Sequence, residues 1–434
     1  MMRLTVKSAK SGLYNQFGGE AVNALSQDFV TRRFCEFYKS SSTAVPSPEA
    51  VSQREFAFFL FRERIMVRHR SVANINGLRK LICDVCPSDV YHSCAYYENP
   101  EADMEKKGWL GADLVFDIDA DHIPTSCDKV HDEWICSKCG FEGKGITPEN
   151  CPACDGQKID VKTWPCERCV ESTRHETIKL IDILEKDFGF SQSEIRVFFS
   201  GHRGYHVHIE GEAVRTLDAI SRKEIVDYVY GLGLMGFDGS LREGPKKTSK
   251  QTFMLHDFGW NRRIKLGMQN FILNATKEDL QSIGIKQNAE AIIQNRETIA
   301  RKYVAENRWS GIKGLKAGPE TWLKIARHVK DLESANIDTV VTTDIHRLIR
   351  MNGTLHGKTG LKKVEFPLKR LSDFDPFREA VAFKDGTAQV SVHSAPEFRI
   401  DETMYGPYKN EIVELPLAAA VLLICKGRAE VVKN

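Results

Sequence analysis

Residues 114–122 read LVFDIDADH. A run of apolar and β-branched side chains passes straight into Asp117, Asp119 and Asp121, so a strand that ought to be buried ends in carboxylates. On a strand, residues i and i+2 point to the same face, which puts Asp117 and Asp119 side by side. Two carboxylates a few ångströms apart cannot both ionise cheaply without a cation. Mg²⁺ or Mn²⁺ removes the conflict, because hard cations take oxygen ligands. Two such ions, about 3.5–4 Å apart, can clamp the attacking and leaving oxygens of a phosphoryl displacement. The competing reading is a solvated strand end with ordinary acidic turn residues. The apolar stretch ahead of the carboxylates argues against it. Asp121 is held outside the metal set, as a supporting residue.

Cysteine spacing is the second constraint. Twelve cysteines are present, and six lie between Cys136 and Cys169 as three C-x-x-C pairs, with Cys127 just upstream. In a long intracellular chain such pairs read as metal ligands, since a reducing compartment does not keep disulfides. Cys136, Cys139, Cys151 and Cys154 have the spacing of a four-thiolate zinc ribbon. Cys127, His131, Cys166 and Cys169 remain as a second tetrahedral set, with His122 able to replace His131. Two structural Zn²⁺ ions are expected, or one if only the ribbon forms. Cys83, Cys86, His92 and Cys94 resemble a third site by spacing, but the apolar pair before Cys83 suits buried thiols better.

Two further stretches gather cations around glycines. FFSGHRGYHVHI (198–209) places Ser200, His202, Arg203 and His206 about a tight turn between two strands, where Gly201 and Gly204 permit close backbone approach. Arginine's planar fork suits phosphate oxygens. The stretch is not a P-loop, so any phosphates must be held by side chains and a short turn. DIHRLIRMNGTLHGKTGL (344–361) brings together Arg347, Arg350, His356 and Lys358. On a helix, Arg347 and Arg350 would share a face. Just upstream, Asp338 and Asp344 each offer the third carboxylate that a two-metal site needs.

The net charge of +2 over 434 residues excludes a protein that coats nucleic acid, so such contact must be local. The longest apolar run, PLAAAVLLIC at 416–425, is too short to span a bilayer. The first residues lack the apolar core of a signal peptide. A soluble intracellular protein with no membrane partner is expected. Strands are expected at 54–61, 65–72, 109–119, 195–200 and 205–209, and a helix over 175–190. Residues 39–53 read as a Ser/Pro loop. The fold class is α/β, a mixed-sheet catalytic core with two insertions: residues 1–214, including a zinc-binding insert at about 122–172; a mostly helical insert at 215–335; and the second part of the core at 336–434. Arg54, Arg68 and His69 are expected either in buried ion pairs or near nucleic acid. Lys246, Lys247, Lys250, Arg262 and Arg263 are expected on a solvated face, with template backbone contact as the alternative.

REFAFFLF, MVRHRS, SDVYHSCAYYENP, LVFDIDADH, CERC followed by LEKDFGFSQSEIRVFFSGHRGYHVHI, and RLIRMNGTLHGKTGL stand in one order. Over roughly residues 28 to 430 the chain resembles the small, catalytic subunit of archaeal and eukaryotic DNA primase, and LHGKTGL is more like the archaeal members. The resemblance implies a nucleotidyltransferase with DNA-directed RNA polymerase activity, which makes RNA primers on single-stranded DNA during DNA replication. It implies NTPs, and possibly dNTPs, as substrates, catalytic Mg²⁺ or Mn²⁺, a structural zinc beside the active site, and a primase large subunit as partner in the primosome. By matching motif, Asp117, Asp119 and Asp338 hold the catalytic metals, with Asp344 the runner-up to Asp338. Ser200, His202, Arg203 and His206 would grip the triphosphate from one side, and Arg350, His356 and Lys358 from the other. His202 stands where eukaryotic relatives usually carry Arg, and Asn352 where many members carry Pro. An archaeal-like member would be cytoplasmic, and a eukaryotic one nuclear. The alternatives are a single-chain primase–polymerase, a repair polymerase domain, a two-metal nuclease or phosphatase, and a zinc-ribbon nucleic-acid adaptor.

Overall fold

The computed structural model describes residues 24–41, 45–234, 258–304 and 317–432. Two four-stranded sheets carry the centre of the molecule. The first consists of β1 (Phe56–Phe59), β2 (Met66–Arg70), β3 (Asp89–Ser93) and β12 (Leu348–Arg350), in the order β12–β3–β1–β2. The second consists of β6 (Leu114–Asp119), β10 (Ile195–Phe199), β11 (Gly204–Ile209) and β13 (Val364–Phe366), in the order β13–β10–β11–β6. β4 (Ala95–Tyr97) pairs with β5 (Trp109–Ala112). β7 (Glu133–Cys136), β8 (Glu142–Lys144) and β9 (Ile159–Lys162) form a small sheet within the cysteine-rich segment. Towards the C-terminus, β14 (Thr387–Ala395), β17 (Tyr408–Pro416) and β18 (Ala429–Val431) form another sheet, and β15 (Phe398–Ile400) pairs with β16 (Thr403–Tyr405). The chain is α/β. Where a mixture of pairings was expected, each strand pair among the described residues is antiparallel.

The second sheet explains LVFDIDADH. Leu114, Phe116 and Ile118 face the main core, while Asp117 and Asp119 alternate to the other side and are only half-buried. β11 packs close enough that a Cβ on Gly204 would lie 2.3 Å from the carbonyl oxygen of Ile118, so only glycine fits there. The register sets His206 opposite Asp117 and Gly204 opposite Asp119. The cationic turn is thereby placed at the acidic strand end.

Residues 109–119 are not one strand. They break at Asp113, a buried carboxylate that accepts from Arg54 Nη1 at 2.6 Å and Tyr96 Oη at 2.7 Å, so β5 and β6 enter different sheets. Residues 348–350 form a strand, with Ile349 paired to His92 on β3, so the helical spacing that would put Arg347 and Arg350 on one face does not apply. Arg54 takes the buried ion-pair option, and Arg68 pairs with buried Glu55 at 3.0 Å. The helix over 175–190 begins earlier, at Glu167, and ends at Lys186. Residues 39–53 are only partly loop, since a helix runs through Ser41.

The cysteines also depart from expectation in one place. Cys35 and Cys86 form a disulfide, although none was expected. The third zinc option fails with it. Cys86 caps the helix Ile75–Val85, whereas Cys94 is buried against Val115, Val341 and Ile349.

Two large apolar clusters lie among the described residues. The main one runs from Phe29 to Ala429 and includes PLAAAVLLIC, whose residues Leu417–Cys425 form a helix with a buried centre. The second lies among helices between Trp260 and Val329. The helix Ala219–Val229 packs on the main cluster. Lys246, Lys247 and Lys250 lie outside the described residues. Arg263 is neither solvated nor free for a template. It is buried, donates to Asp182 Oδ2 at 2.7 Å and Asp187 Oδ2 at 2.5 Å, and so ties the helix Gly259–Asn274 to the helix Glu167–Lys186. Among the described residues, no helix is long and apolar enough to cross a membrane.

Candidate active site

The ends of β6, β11 and β12 open on one cleft of about 230 Å³. Asp117, Asp119 and Asp121 line it together with Ser200, His202, His206, Arg347, Arg350, His356 and Lys358. Burial, then the Asp119 and Asp338 charges, push the Asp117 carboxyl up to about 8. Burial, then Asp121, push Asp119 up to about 6. These are the signs of a carboxylate group with too little positive charge beside it.

Asp338 reaches this group from the other end of the chain. Its backbone N–H donates to the Asp117 carbonyl at 2.8 Å, and its carboxylate caps the short helix Thr339–Thr343 by accepting from Val340 N–H at 2.9 Å. Asp344, at the far end of that helix, accepts from the His346 N–H and acts electrostatically on Tyr97. Of the two, Asp338 is the one whose charge acts on Asp117.

The opposite wall carries His202, His356, Arg347, Arg350 and Lys358. The His202 and His356 rings stack with centroids 5.3 Å apart. Burial, then Lys426 and His356, hold the His202 imidazole well below its usual range, while burial, then Arg350 and Lys358, do the same to His356. Lys358 N–H donates to His356 Nδ1 at 3.1 Å, which leaves the ring proton on Nε2. Arg350 is buried and bonded to Asp89. His206 Nε2 lies 3.5 Å from Asp117 Oδ1, and its Nδ1 is buried with no hydrogen-bond partner among the described residues. Ser200 Oγ accepts from the His202 N–H at 3.3 Å.

Arg203 is the exception. Its guanidinium is held between carboxylates and does not line the cleft, donating from Nε to Asp121 Oδ1 at 3.0 Å and from Nη1 and Nη2 to Asp132 at 2.9 and 2.8 Å. The motif gave no sign of this, because Asp132 lies within the cysteine-rich segment. Lys426 was also missed. It follows the C-terminal apolar helix and donates from Nζ to His202 Nε2 at 2.7 Å. No local signal marks it, since only the packing of that helix brings it to the turn.

Beside the cleft, the ligand atoms of Cys127, His131, Cys166 and Cys169 lie within 4.8 Å of one another, as do those of Cys136, Cys139, Cys151 and Cys154. Both sets match the spacing argument, and His131, not His122, completes the first. Three thiols and an imidazole, or four thiols, suit zinc.

Carboxylates that face arginine, lysine and histidine side chains across one polar cleft suit the class of phosphoryl-transfer enzymes. A family profile described as DNA primase small subunit matches residues 156–368. The chain is 30% identical over 411 residues to the DNA primase small subunit PriS of Nitrosopumilus maritimus, covering 94% of this chain and 100% of that protein. It is 32% identical over 401 residues to PriS of Cenarchaeum symbiosum, covering 92% and 97%. It is 31% identical over 433 residues to PriS of Methanothrix thermoacetophila, covering 93% and 98%. The chain belongs to the DNA primase small subunit family.

Proposed function

We propose that this chain is the primer-synthesising subunit of a DNA primase, joining NTPs, with dNTPs as further candidate substrates, on a single-stranded DNA template. One observation carries the reading: Asp117, Asp119 and Asp121 line one cleft with arginine, lysine and histidine side chains from distant parts of the sequence. Asp117, Asp119 and Asp338 would hold Mg²⁺ or Mn²⁺. Their all-oxygen donors and the raised carboxyls of Asp117 and Asp119 fit hard cations. When bound, such ions polarise the phosphoryl group and lower the pKa of the attacking 3′-hydroxyl.

The chain's own residues do the rest. His356, presenting Nε2–H, and Lys358 bind phosphate oxygens from one side. Ser200, His202 and His206 bind from the other. Arg350 is steadied by Asp89 and adds a fixed positive charge. Alignment and preorganised charge would supply most of the acceleration. The segments 1–214 and 336–434 would form the catalytic core, with 215–335 inserted. Both Cys/His sets would hold structural zinc. The relatives' names as small subunits support a large subunit as partner.

The test is de novo synthesis on single-stranded DNA with NTPs or dNTPs, with and without a candidate large subunit. Primers that appear with wild type and vanish with Asp119→Asn are expected. Degradation of labelled DNA by metal and protein without nucleotides would replace this reading with a nuclease.

A further inference from the structure

His131, Asp132, Arg203, Asp121 and Asp119 form an unbroken file from the Cys127 zinc set to the catalytic carboxylates. His131 turns Nε2 towards Cys127 Sγ at 3.3 Å and Cys169 Sγ at 3.5 Å, while Nδ1 meets Asp132 Oδ1 at 2.8 Å. Asp132 is buried, and Trp164 N–H also donates to it, at 2.9 Å. Both its oxygens receive the Arg203 fork, and the Nε edge of Arg203 reaches Asp121. The Asp121 N–H donates to Asp119 Oδ1 at 2.9 Å. Arg203 is buried as well. A planar guanidinium between two carboxylates fixes their separation and orientation, which a point-charge ammonium cannot do.

We propose that Arg203 and Asp132 are positioning residues that transmit the order of the zinc site to Asp119, so that zinc occupancy sets divalent-cation affinity in the cleft. The inference rests on the reading of Asp117 and Asp119 as divalent-cation ligands, and it removes Arg203 from the triphosphate grip that the family resemblance implies. Outer-layer partners of ligands commonly govern affinity in this way.

The test uses the full chain as wild type, Arg203→Lys, Arg203→Ala and Asp132→Asn. Mn²⁺ affinity is read from the electron paramagnetic resonance of free Mn²⁺, zinc content by atomic emission, and the KM for nucleotide at saturating Mn²⁺. Mn²⁺ binding about tenfold weaker in Arg203→Lys and Asp132→Asn, with KM within about twofold of wild type, is expected. Should Arg203→Ala fail to fold, Arg203→Lys keeps the charge and carries the comparison. Unchanged Mn²⁺ affinity in these variants overturns the inference, and a raised KM alongside it returns Arg203 to the triphosphate. Wild type that binds no Mn²⁺ removes the functional reading, and this inference with it.

Discussion

Asp117 carries a charge that the folded chain resists. Its carboxyl is pushed up to about 8, first by burial and then by Asp119 and Asp338. The unfolded chain holds such a group near 3.9. The folded state therefore binds the proton more tightly, and the stability this contributes is present below about pH 4 and lost as pH rises through about 8. In buffer without divalent cations, the wild-type Tm should fall from pH 5 to 8.5. Asp117→Asn, which cannot ionise, should fall less, by up to about 4 kcal/mol, since about three pH units separate pH 5 from the folded carboxyl at about 1.4 kcal/mol each. Mn²⁺ should restore the wild type at high pH, and the variant should incorporate no nucleotide. Thermal melts across pH, paired with an incorporation assay, check both. Lys426 is a second residue-scale case. Burial, then the Lys358 and Arg203 charges, hold its ammonium well below the usual lysine range, so an anion in the cleft would relieve it. Lys426→Ala should raise the KM for NTP about fivefold, from the loss of one charge-assisted contact worth about 1 kcal/mol, with a smaller change in kcat. Steady-state kinetics would show an unchanged KM if Lys426 only packs.

At the scale of elements, the two Cys/His sets are not equivalent. The ribbon set is held by β7, β8, β9 and their turns, a small sheet with exposed Phe141 and Ile146. The other set includes Cys166, whose sulfur accepts from the Cys169 N–H at 3.3 Å and caps the helix Glu167–Lys186. That helix places Val170, Leu180 and Leu184 in the main core. Cys139→Ser and Cys166→Ser should each reduce bound zinc from two ions to about one. Only the second should lower the Tm of the whole chain by several degrees, about 4 °C or more, because it loosens a core helix as well as a metal site. Metal analysis and calorimetry on the two variants test this. Equal Tm losses would mean that the ribbon is also braced by the core.

For the whole molecule, the helical cluster between Trp260 and Val329 has its own apolar centre, and Arg263 is a buried charged link to the rest. Removing one partner of a buried charged network leaves the other charges uncompensated and costs about 3–5 kcal/mol. Arg263→Ala should split one calorimetric transition into two, with the helical part melting first, and a single sharp transition would show that the two clusters unfold together. The same contrast of local and distant contacts separates what was legible in the sequence from what was not. Both Cys/His sets could be read because most of their ligands lie a few residues apart, so spacing alone sets their geometry. Asp117 and Asp119 on one face followed from strand periodicity, and the Ser200–His206 turn from glycines between two apolar runs. The sequence could not say that 348–350 pairs with β3 and is therefore a strand. Nor could it hold Arg203 between carboxylates or bring Lys426 into contact with His202, because those outcomes depend on partners far along the chain. Short-range rules of periodicity and ligand spacing were enough for the sequence by itself to determine the parts of the site. Only the tertiary structure decided which charge meets which, since a buried cation goes to whichever distant carboxylate the packing leaves within reach.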